Sequence, residues 1–466
     1  MCRGPPWELR TTTPPPGRPV SAFSLLKRVV ERDVGASLLR VGALTSFAYL
    51  IGIGRDAVLA TFYGGSTALD IYFVALAPSQ FVGMEAASLT YLALLPEFSK
   101  AFRGAGGRSG TYMLRERLLF IGKATLGLAF LFAVLGVLIA PVLAPGYAGH
   151  RAMSSLRISL AVLCLLIPAL TVGGVLRAAL ETKGWFSAWA LLPAFRSAAI
   201  IVFAMLTATR PGVGWLVAGT LIGVSFFLGY AALLSHSQRF FQSHNESPEP
   251  VVGKGFPTSL LPLLGSVLLG QVTVALDNAF ASHTGIGGVQ QFALASNLLG
   301  VPQTVIGGAV ATVFFPLYGT LWASGQKAAA VESLRKSTRM AVYGILPVVV
   351  AVIFGGHAVV RLIYQHGVFD EGMTLTVTQA VAGLALGQVA YASSVLLRQF
   401  LLVAGAPWAL FEASAVFLAV KWVGNLALAD RFGVPGIALS SSLAAASTCG
   451  YLVVRLIRTA RGAREV

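Results

Sequence analysis

The chain has 466 residues, of which 56% are hydrophobic and only 11% are charged. Because about a quarter of the residues in soluble domains are charged, this composition excludes an ordinary soluble domain and indicates that most of the surface faces lipid. The net charge of +16 does not indicate nucleic-acid binding, because the basic residues fall in short clusters between apolar runs, as in the loops of membrane proteins.

The first 35 residues precede any apolar run of spanning length. They contain three consecutive prolines, Pro14 to Pro16, and several basic residues, and they lack the apolar core of a signal peptide. Residues 1–35 are therefore predicted to form a disordered cytoplasmic leader.

Twelve apolar segments follow, each long enough to cross a bilayer as a helix. They cover approximately residues 38–62, 70–97, 118–141, 155–180, 185–208, 212–235, 258–283, 288–318, 340–364, 374–403, 408–429 and 433–457. This pattern predicts an all-α, polytopic membrane protein. Lys and Arg concentrate in alternate loops and after the last segment, so both termini are predicted to face the cytoplasm.

The two halves of the chain resemble each other at an offset of 221 residues, which places Asp56 over Asp277 and Arg177 over Arg398. Because six spans is an even number, both halves insert the same way up, which predicts a parallel repeat and a cavity between two bundles that rock for alternating access. The predicted organisation is a six-helix bundle at 36–240, a cytoplasmic linker at 241–256, a second six-helix bundle at 257–458 and a basic tail at 459–466.

Ionisable residues within the predicted spans are the candidates for function, because a charge at the bilayer centre costs on the order of 3 kcal/mol. These residues are Arg55, Asp56, Asp70, Glu85, Arg196, Asp277 and Lys421. A structural role is open for three of them. Arg55 and Asp56 can neutralise each other, and Asp70 can cap a helix N-terminus.

Glu85 and Lys421 are predicted mid-span, where each needs a partner or water. Arg177 and Arg398 lie near the predicted cytoplasmic boundary and fit topology anchors. The three cysteines are far apart and the six histidines form no HxxxH or HxH pair, so neither a metal site nor a cofactor is predicted.

Five stretches, in order over most of the chain, carry a resemblance to a known family. They are IGIGRDAVLATFYGGSTALDIYFVA (51–75), APGY (144–147), ALDNAFAS (275–282), RLIYQHGVFDEGMT (361–374) and GVPGIALSSSLAA (433–445). In these the chain resembles the MurJ/MviN family of lipid II flippases, whose superfamily also holds Wzx-type and MATE transporters. The resemblance implies a flippase for polyprenyl-pyrophosphate-linked sugars in the bacterial cytoplasmic membrane, with cavity cations that bind the pyrophosphate.

The resemblance also implies which residues face the substrate, and here the sequence departs from the family. The arginines that the family has in spans one, two and eight correspond here to Tyr49, to Gly83 or Met84, and to Asn297. The predicted substrate-binding residues are Arg55, Asp56, Asp70, Glu85, Arg196 and Asn297. A cavity with fewer arginines binds a diphosphate less well, and family members carry two further spans after the twelfth. Both departures favour a divergent member that carries an exopolysaccharide or O-antigen repeat unit over one that carries lipid II.

The family's sodium site implies a coupling set made of Asp277, Lys421, Asn425 and Ser441. Lys421 places an ammonium where the family has a neutral amide. We therefore expect Lys421 to pair with Asp277 and to stand in for the sodium ion, so that transport does not depend on sodium.

Other functions remain open from the sequence. A MATE-like ion-coupled antiporter needs a cavity acid, for which Glu85 and Asp277 are candidates, and a non-transporting scaffold of a glycan-assembly complex fits the missing arginines. An enzyme is disfavoured because membrane glycan polymerases and ligases need large outward loops, whereas those predicted have roughly 5–15 residues. The favoured hypothesis is a monomeric flippase whose partners are a lipid-linked saccharide, membrane lipids, and a coupling proton or sodium ion or the membrane potential.

Overall fold

The computed structural model describes residues 32–103, 108–147, 150–182, 185, 188–237 and 260–462. Within these ranges the chain folds into helices, with no strand among them. The predicted linker at 241–256 lies outside the described residues, as does most of the predicted leader and half of the predicted tail. The first helix already begins at Arg32 and the last extends to Gly462, so both helices continue beyond their apolar segments into basic residues.

The helices are numbered in chain order. Those of the first half are α1 (Arg32–Tyr63), α2 (Thr67–Arg103), α3 (Arg108–Leu143), α4 (His150–Leu163), α5 (Leu166–Thr182), α6 (Leu192–Leu206) and α7 (Val213–Ser237). Those of the second half are α8 (Leu260–His283), α9 (Gly288–Pro302), α10 (Gly308–Ala323), α11 (Lys327–Tyr364), α12 (Glu371–Ala385), α13 (Gln388–Val403), α14 (Trp408–Phe432) and α15 (Val434–Gly462).

Ten helical segments of the described chain are long and apolar enough to cross a bilayer, and α12 with α13, bent by 46°, supplies an eleventh. The predicted span at 288–318 is also helical without a break, from Gly288 to Ala323, and it contains a π-helical turn, Gln303–Gly307, between α9 and α10. The all-α polytopic fold is confirmed, with a π-helical turn in its eighth span.

Glycines allow two helix contacts that position polar side chains. α7 packs on α6 at Gly223, where an added Cβ would lie 2.6 Å from the Cα of Arg196. α14 packs on α15 at Gly424, where an added Cβ would lie 2.7 Å from the Cβ of Ser440. The second contact brings the polar residues of α14 next to the serines of α15.

The two halves pack against each other through their apolar cores. The main core cluster of the first half extends to Ala281, Val289 and Ile437 of the second half. Conversely, Ala60 of α1 belongs to a core cluster of the second half that includes Phe369. These residues lie beside the loops at 64–66, 284–287 and 365–370, which the charge pattern predicts to face outward. The halves are therefore joined at the predicted outer side.

Candidate functional site

A cavity of about 400 Å³ lies between the two halves, within the size range of ligand sites. Its walls come from α1, α2 and α6 of the first half and α8, α9, α12 and α15 of the second. Its polar lining residues are Arg55, Gln80, Arg196, Asp277, Asn278, Ser296, Asn297 and Ser441. The fold thus brings predicted residues from α1, α6, α8, α9 and α15 to one central cavity.

Arg55 and Asp56 form a buried ion pair at the wall of this cavity. Arg55 donates to Asp56 Oδ1 from Nε at 2.8 Å and from Nη2 at 2.5 Å, and Asn297 Nδ2 donates to Asp56 Oδ2 at 3.0 Å. The carboxylate therefore neutralises the guanidinium beside it, and Asn297 of the second half holds the carboxylate in place. Arg55 alone adds no net positive charge to the cavity.

Arg196 is the cavity cation without a counter-charge. Its Nη1 donates to Gln80 Oε1 at 2.5 Å, and its Nε has no hydrogen-bond partner in the described part of the chain. The ion pairs found among the described residues join other side chains and leave Arg196 out. A guanidinium that faces a cavity with its Nε–H unpaired suits an anionic ligand.

Asp70 is fully buried where α2 begins, but the helix end that it caps belongs to the other half. Its Oδ2 accepts from the Gly287 backbone N–H and the Tyr147 hydroxyl, each at 2.6 Å, and its Oδ1 accepts from the Gln290 backbone N–H at 2.8 Å. Burial and the Asp70 carboxylate both raise the pKa of Tyr147, which keeps that hydroxyl protonated as a donor. The carboxylate thus satisfies N–H groups at the N-terminus of α9.

Further backbone contacts close the same side. The Gly146 N–H donates to Ser282 Oγ at 3.1 Å, and the Val368 N–H donates to the Thr61 carbonyl at 3.1 Å. At Gly367, whose φ is +60°, an added Cβ would lie only 2.3 Å from the Thr61 carbonyl oxygen. Together with Asp70 these contacts form what we call the outer latch, which joins the halves beside the loops predicted to face outward.

Lys421 is completely buried in a cage of oxygen atoms in the second half. Its Nζ lies 3.0 Å from Asp277 Oδ1, donates to the Ile437 carbonyl at 2.8 Å and donates to the Ser441 hydroxyl. Asn425 Nδ2 donates to the same Asp277 oxygen at 3.3 Å. The three N–H groups of the ammonium are therefore matched by oxygens from α8 and α15. The four residues predicted as a coupling set form one cluster.

Comparison with known proteins identifies the family. The sequence profile described as "Lipid II flippase MurJ" matches residues 59–465. The chain belongs to the MurJ lipid II flippase family. A probable lipid II flippase MurJ of Rickettsia prowazekii (strain Madrid E) is 21% identical over 437 residues, which are 88% of this chain and 81% of the relative.

The solved structures that resemble this MurJ-family chain support the same fold. A lipid II flippase MurJ in an inward closed conformation matches with a TM-score of 0.71 and 19% identity, over 89% of this chain and 86% of that one. An inward-facing multidrug resistance MATE family transporter of the MOP superfamily matches with a TM-score of 0.68 and 13% identity, over 91% and 98%. At these identities the likeness concerns the fold alone, and it confirms the expected MOP-type architecture.

Two features of the cavity in this MurJ-family member were not expected. Glu85 is partly buried on α2 and is absent from the residues that line the central cavity. Gln80, the partner of Arg196, does line it, together with Asn278. Gln80 lies seven residues after Phe73 on the same face of α2, but Phe73 was not a candidate from the sequence, so the spacing alone did not mark Gln80. Among the described residues no group of three His, Cys, Asp or Glu side chains is arranged to bind a metal ion.

Proposed function

We propose that this MurJ-family protein moves a polyprenyl-diphosphate-linked saccharide from the cytoplasmic to the outer leaflet of the bacterial cytoplasmic membrane. The observation that carries the proposal is Arg196, which lies in the cavity between the halves without a neutralising carboxylate. A diphosphate that crosses hydrocarbon needs fixed positive charge, and a guanidinium binds phosphate oxygens through paired N–H groups.

The charges around the central cavity support an anionic substrate. Arg55, Arg196 and Asp277 line the cavity, and the buried partners Asp56 and Lys421 lie behind its wall, so three positive and two negative charges leave one positive charge in excess. Since Arg55 and Lys421 are each paired, the excess resides at Arg196. In this proposal Arg196 is the primary phosphate ligand and Arg55 assists when the diphosphate draws it from Asp56.

The outer latch supports alternating access. With the halves joined at the predicted outer side, the cavity is loaded from the cytoplasm. Release outward then requires the N-terminus of α9 to leave the Asp70 carboxylate, which breaks hydrogen bonds from two backbone N–H groups. The latch is thus the element whose opening exposes the cavity to the outer side.

Lys421 supports a mechanism without a free sodium ion. Its ammonium supplies a positive charge among Asp277, Ser441 and the Ile437 carbonyl, which are oxygen ligands of the type that a sodium ion needs. We expect transport by the wild type to be equal in sodium and potassium buffers, with the membrane potential as the driving force. A clear sodium dependence that is lost in Lys421→Ala would contradict this role.

The other functions are not favoured. A MATE-like antiporter needs a cavity carboxylate that is free to exchange ions, whereas Asp277 is paired with Lys421 and Glu85 is not among the residues that line the central cavity. A scaffold without transport does not need an unpaired guanidinium in a cavity between two halves. Assignment to a flippase family also speaks against an enzyme.

Complementation of MurJ depletion in a bacterial host tests the proposed function and its substrate. If the headgroup is that of lipid II, the wild-type chain restores growth and Arg196→Gln does not, while the surface variant Arg335→Gln restores it as a control. Rescue by Arg196→Gln at equal membrane expression would contradict the role of Arg196. A well-expressed wild type that fails to rescue favours another lipid-linked glycan as the substrate.

The membrane orientation and the oligomeric state belong to the same proposal. We expect both termini to be cytoplasmic and the protein to act as a monomer, because each chain contains both walls of the cavity. The orientation is checked by whether a terminal cysteine reacts with an impermeant maleimide in intact cells. The oligomeric state is checked by the mass of the detergent-solubilised particle, measured by light scattering.

A further inference from the structure

The space around the transport cavity continues into the second half. A cavity of about 370 Å³ lies between α8, α13, α14 and α15 and shares Asp277 with the central cavity. A smaller cavity of about 180 Å³ shares Tyr391 with the first and Ser441 with the central cavity. We call these two adjoining cavities the side arm. It follows α8 from Asp277 to Ser266, which is about 16 Å of helix.

The side arm is lined by neutral polar side chains and aromatic rings, with small apolar side chains between them. Typical members are Ser266, Thr273, Tyr391, Ser394, Ser414 and Phe417. Sugars present many hydroxyl groups together with C–H faces that pack on aromatic rings, so a lining that mixes hydroxyl groups, aromatic rings and small apolar side chains fits a saccharide.

The hydroxyl groups of the arm are arranged as acceptors. Ser266, Thr273 and Ser394 donate their protons to carbonyl groups of their own helices at 2.8, 2.9 and 2.8 Å. Their oxygen lone pairs are therefore left for donors in the cavity. The hydroxyl groups of a sugar are suitable donors to these serine and threonine oxygens along the arm.

One wall of the arm carries a positive charge without a counter-charge. In the first half, Arg177 Nε donates to Glu181 Oε1 at 2.8 Å. At the repeat offset of 221 residues, Arg398 takes the place of Arg177 and Leu402 takes the place of Glu181. The hydrogen bond described for Arg398 joins its Nη1 to the neutral Ser414 Oγ at 3.1 Å, and the ion pairs of the described residues do not include it. Both halves of the repeat therefore have the arginine, but only the second half, where the arginine lines a cavity, lacks the carboxylate that pairs with it.

We infer that the side arm holds the saccharide headgroup of the substrate and that Arg398 binds a carboxylate on it. The inference rests on the proposed function and adds the substrate class: a lipid-linked saccharide with an acidic sugar. Arg196 binds the diphosphate in the central cavity, and Arg398 binds the acid in the arm. Because the two arginines lie in different cavities, a substrate that carries both a diphosphate and an acidic sugar binds more tightly than one that carries the diphosphate alone.

Binding to the purified, detergent-solubilised full chain tests the inference with three probes. The first is a short-chain prenyl diphosphate, the second carries a neutral disaccharide on that diphosphate, and the third carries the same disaccharide with glucuronic acid as its terminal sugar. We expect the acidic probe to bind the wild type about tenfold more tightly than the neutral one, as for a charged hydrogen-bonded pair. Arg398→Gln removes this preference and leaves binding of the prenyl diphosphate unchanged.

Two further variants make the outcome specific. Arg398→Lys keeps the charge and retains part of the preference, and it also reports on the site if Arg398→Gln does not fold. Arg177→Gln, at the matched position of the first half, leaves the preference intact. Equal affinity for the acidic and neutral probes in the wild type, or a preference that survives in Arg398→Gln, overturns the inference. Failure of the prenyl diphosphate itself to bind would instead overturn the proposed function.

Discussion

The outer latch offers the sharpest test of how the two halves separate. In Asp70→Asn the side chain keeps its size but loses its charge and one acceptor oxygen. The carboxylate now accepts three hydrogen bonds, from the N–H groups of Gly287 and Gln290 and from the Tyr147 hydroxyl. An amide offers one oxygen to these donors, so its NH₂ group must face at least one of them.

The expected cost follows from these contacts. A hydrogen bond to a charged group contributes about 1.5–3 kcal/mol, and a carboxylate at a helix N-terminus adds about 0.3–2 kcal/mol. Allowing for the bonds that the amide retains, the substitution destabilises the latched state by about 2–4 kcal/mol relative to the outward-open state. At about 1.4 kcal/mol per factor of ten, the ratio of the two states changes by about 30-fold to several hundred-fold.

Electron–electron double resonance measures this shift directly. Spin labels at Arg210 and Ile286, both exposed and on loops predicted to face outward, report the separation of the first and second halves in a background without the native cysteines. We expect a single short distance in the parent protein and a population at longer distance in Asp70→Asn.

Asp370→Asn is the matched control for this measurement. Asp370 also caps a helix, since its Oδ1 accepts from the Met373 N–H at 2.8 Å, but both residues lie in the second half. Its replacement lowers stability by about 1 kcal/mol without changing the distance. An unchanged distance in Asp70→Asn, or the same shift in both variants, refutes the account of the latch.

Three further predictions follow from the site. Arg196→Gln lowers the affinity for prenyl diphosphate at least tenfold in a binding titration, because it removes the unpaired cavity cation; equal affinity refutes its role as phosphate ligand. Lys421→Asn empties the cation position beside Asp277. Sodium at about ten times the Kd of its binding to this variant therefore raises the free energy of unfolding by about 1.4 kcal/mol. Thermal unfolding of the wild type is the same in sodium and potassium. Gly223→Ala lowers the melting temperature, because the added Cβ would lie 2.6 Å from the Cα of Arg196 and 2.9 Å from the Phe195 carbonyl oxygen. A variant as stable as the parent would show that the contact between α6 and α7 yields at no cost.

The helical fold was predictable because lipid imposes a simple requirement on the sequence. Backbone groups in hydrocarbon must be paired within the segment, so apolar runs of spanning length become helices. The same rule did not predict the π-helical turn in the eighth span. Pro302 is evident in the sequence, but the π-helical turn that follows it depends on how α9 and α10 pack against their neighbours.

The site was predictable where partners are close in sequence or aligned by family resemblance. Arg55 and Asp56 are adjacent, so their mutual neutralisation was an evident alternative. The approach of Lys421 to Asp277 was expected only from the resemblance, since 144 residues separate them. That approach depends on the close packing of α14 on α8 and α15.

Asp70 shows where sequence reasoning stopped. Its type and position predict a helix cap, but the N–H groups that it accepts from lie 217 and 220 residues further along the chain. Nothing local distinguishes a cap of its own helix from a cap across the two halves. The same holds for Arg196 and Gln80, which are 116 residues apart.

The central claim is that the cavity with Arg196 carries a lipid-linked saccharide across the bilayer. Its most direct test uses vesicles that contain the purified protein and a fluorescent undecaprenyl-diphosphate disaccharide, with an impermeant quencher added outside. We predict that the wild type makes nearly all of the fluorescence accessible to the quencher, whereas empty vesicles and Arg196→Gln vesicles lose only the outer-leaflet half on the same timescale. Wild-type vesicles that behave like empty ones, or Arg196→Gln vesicles that behave like the wild type, would contradict the account.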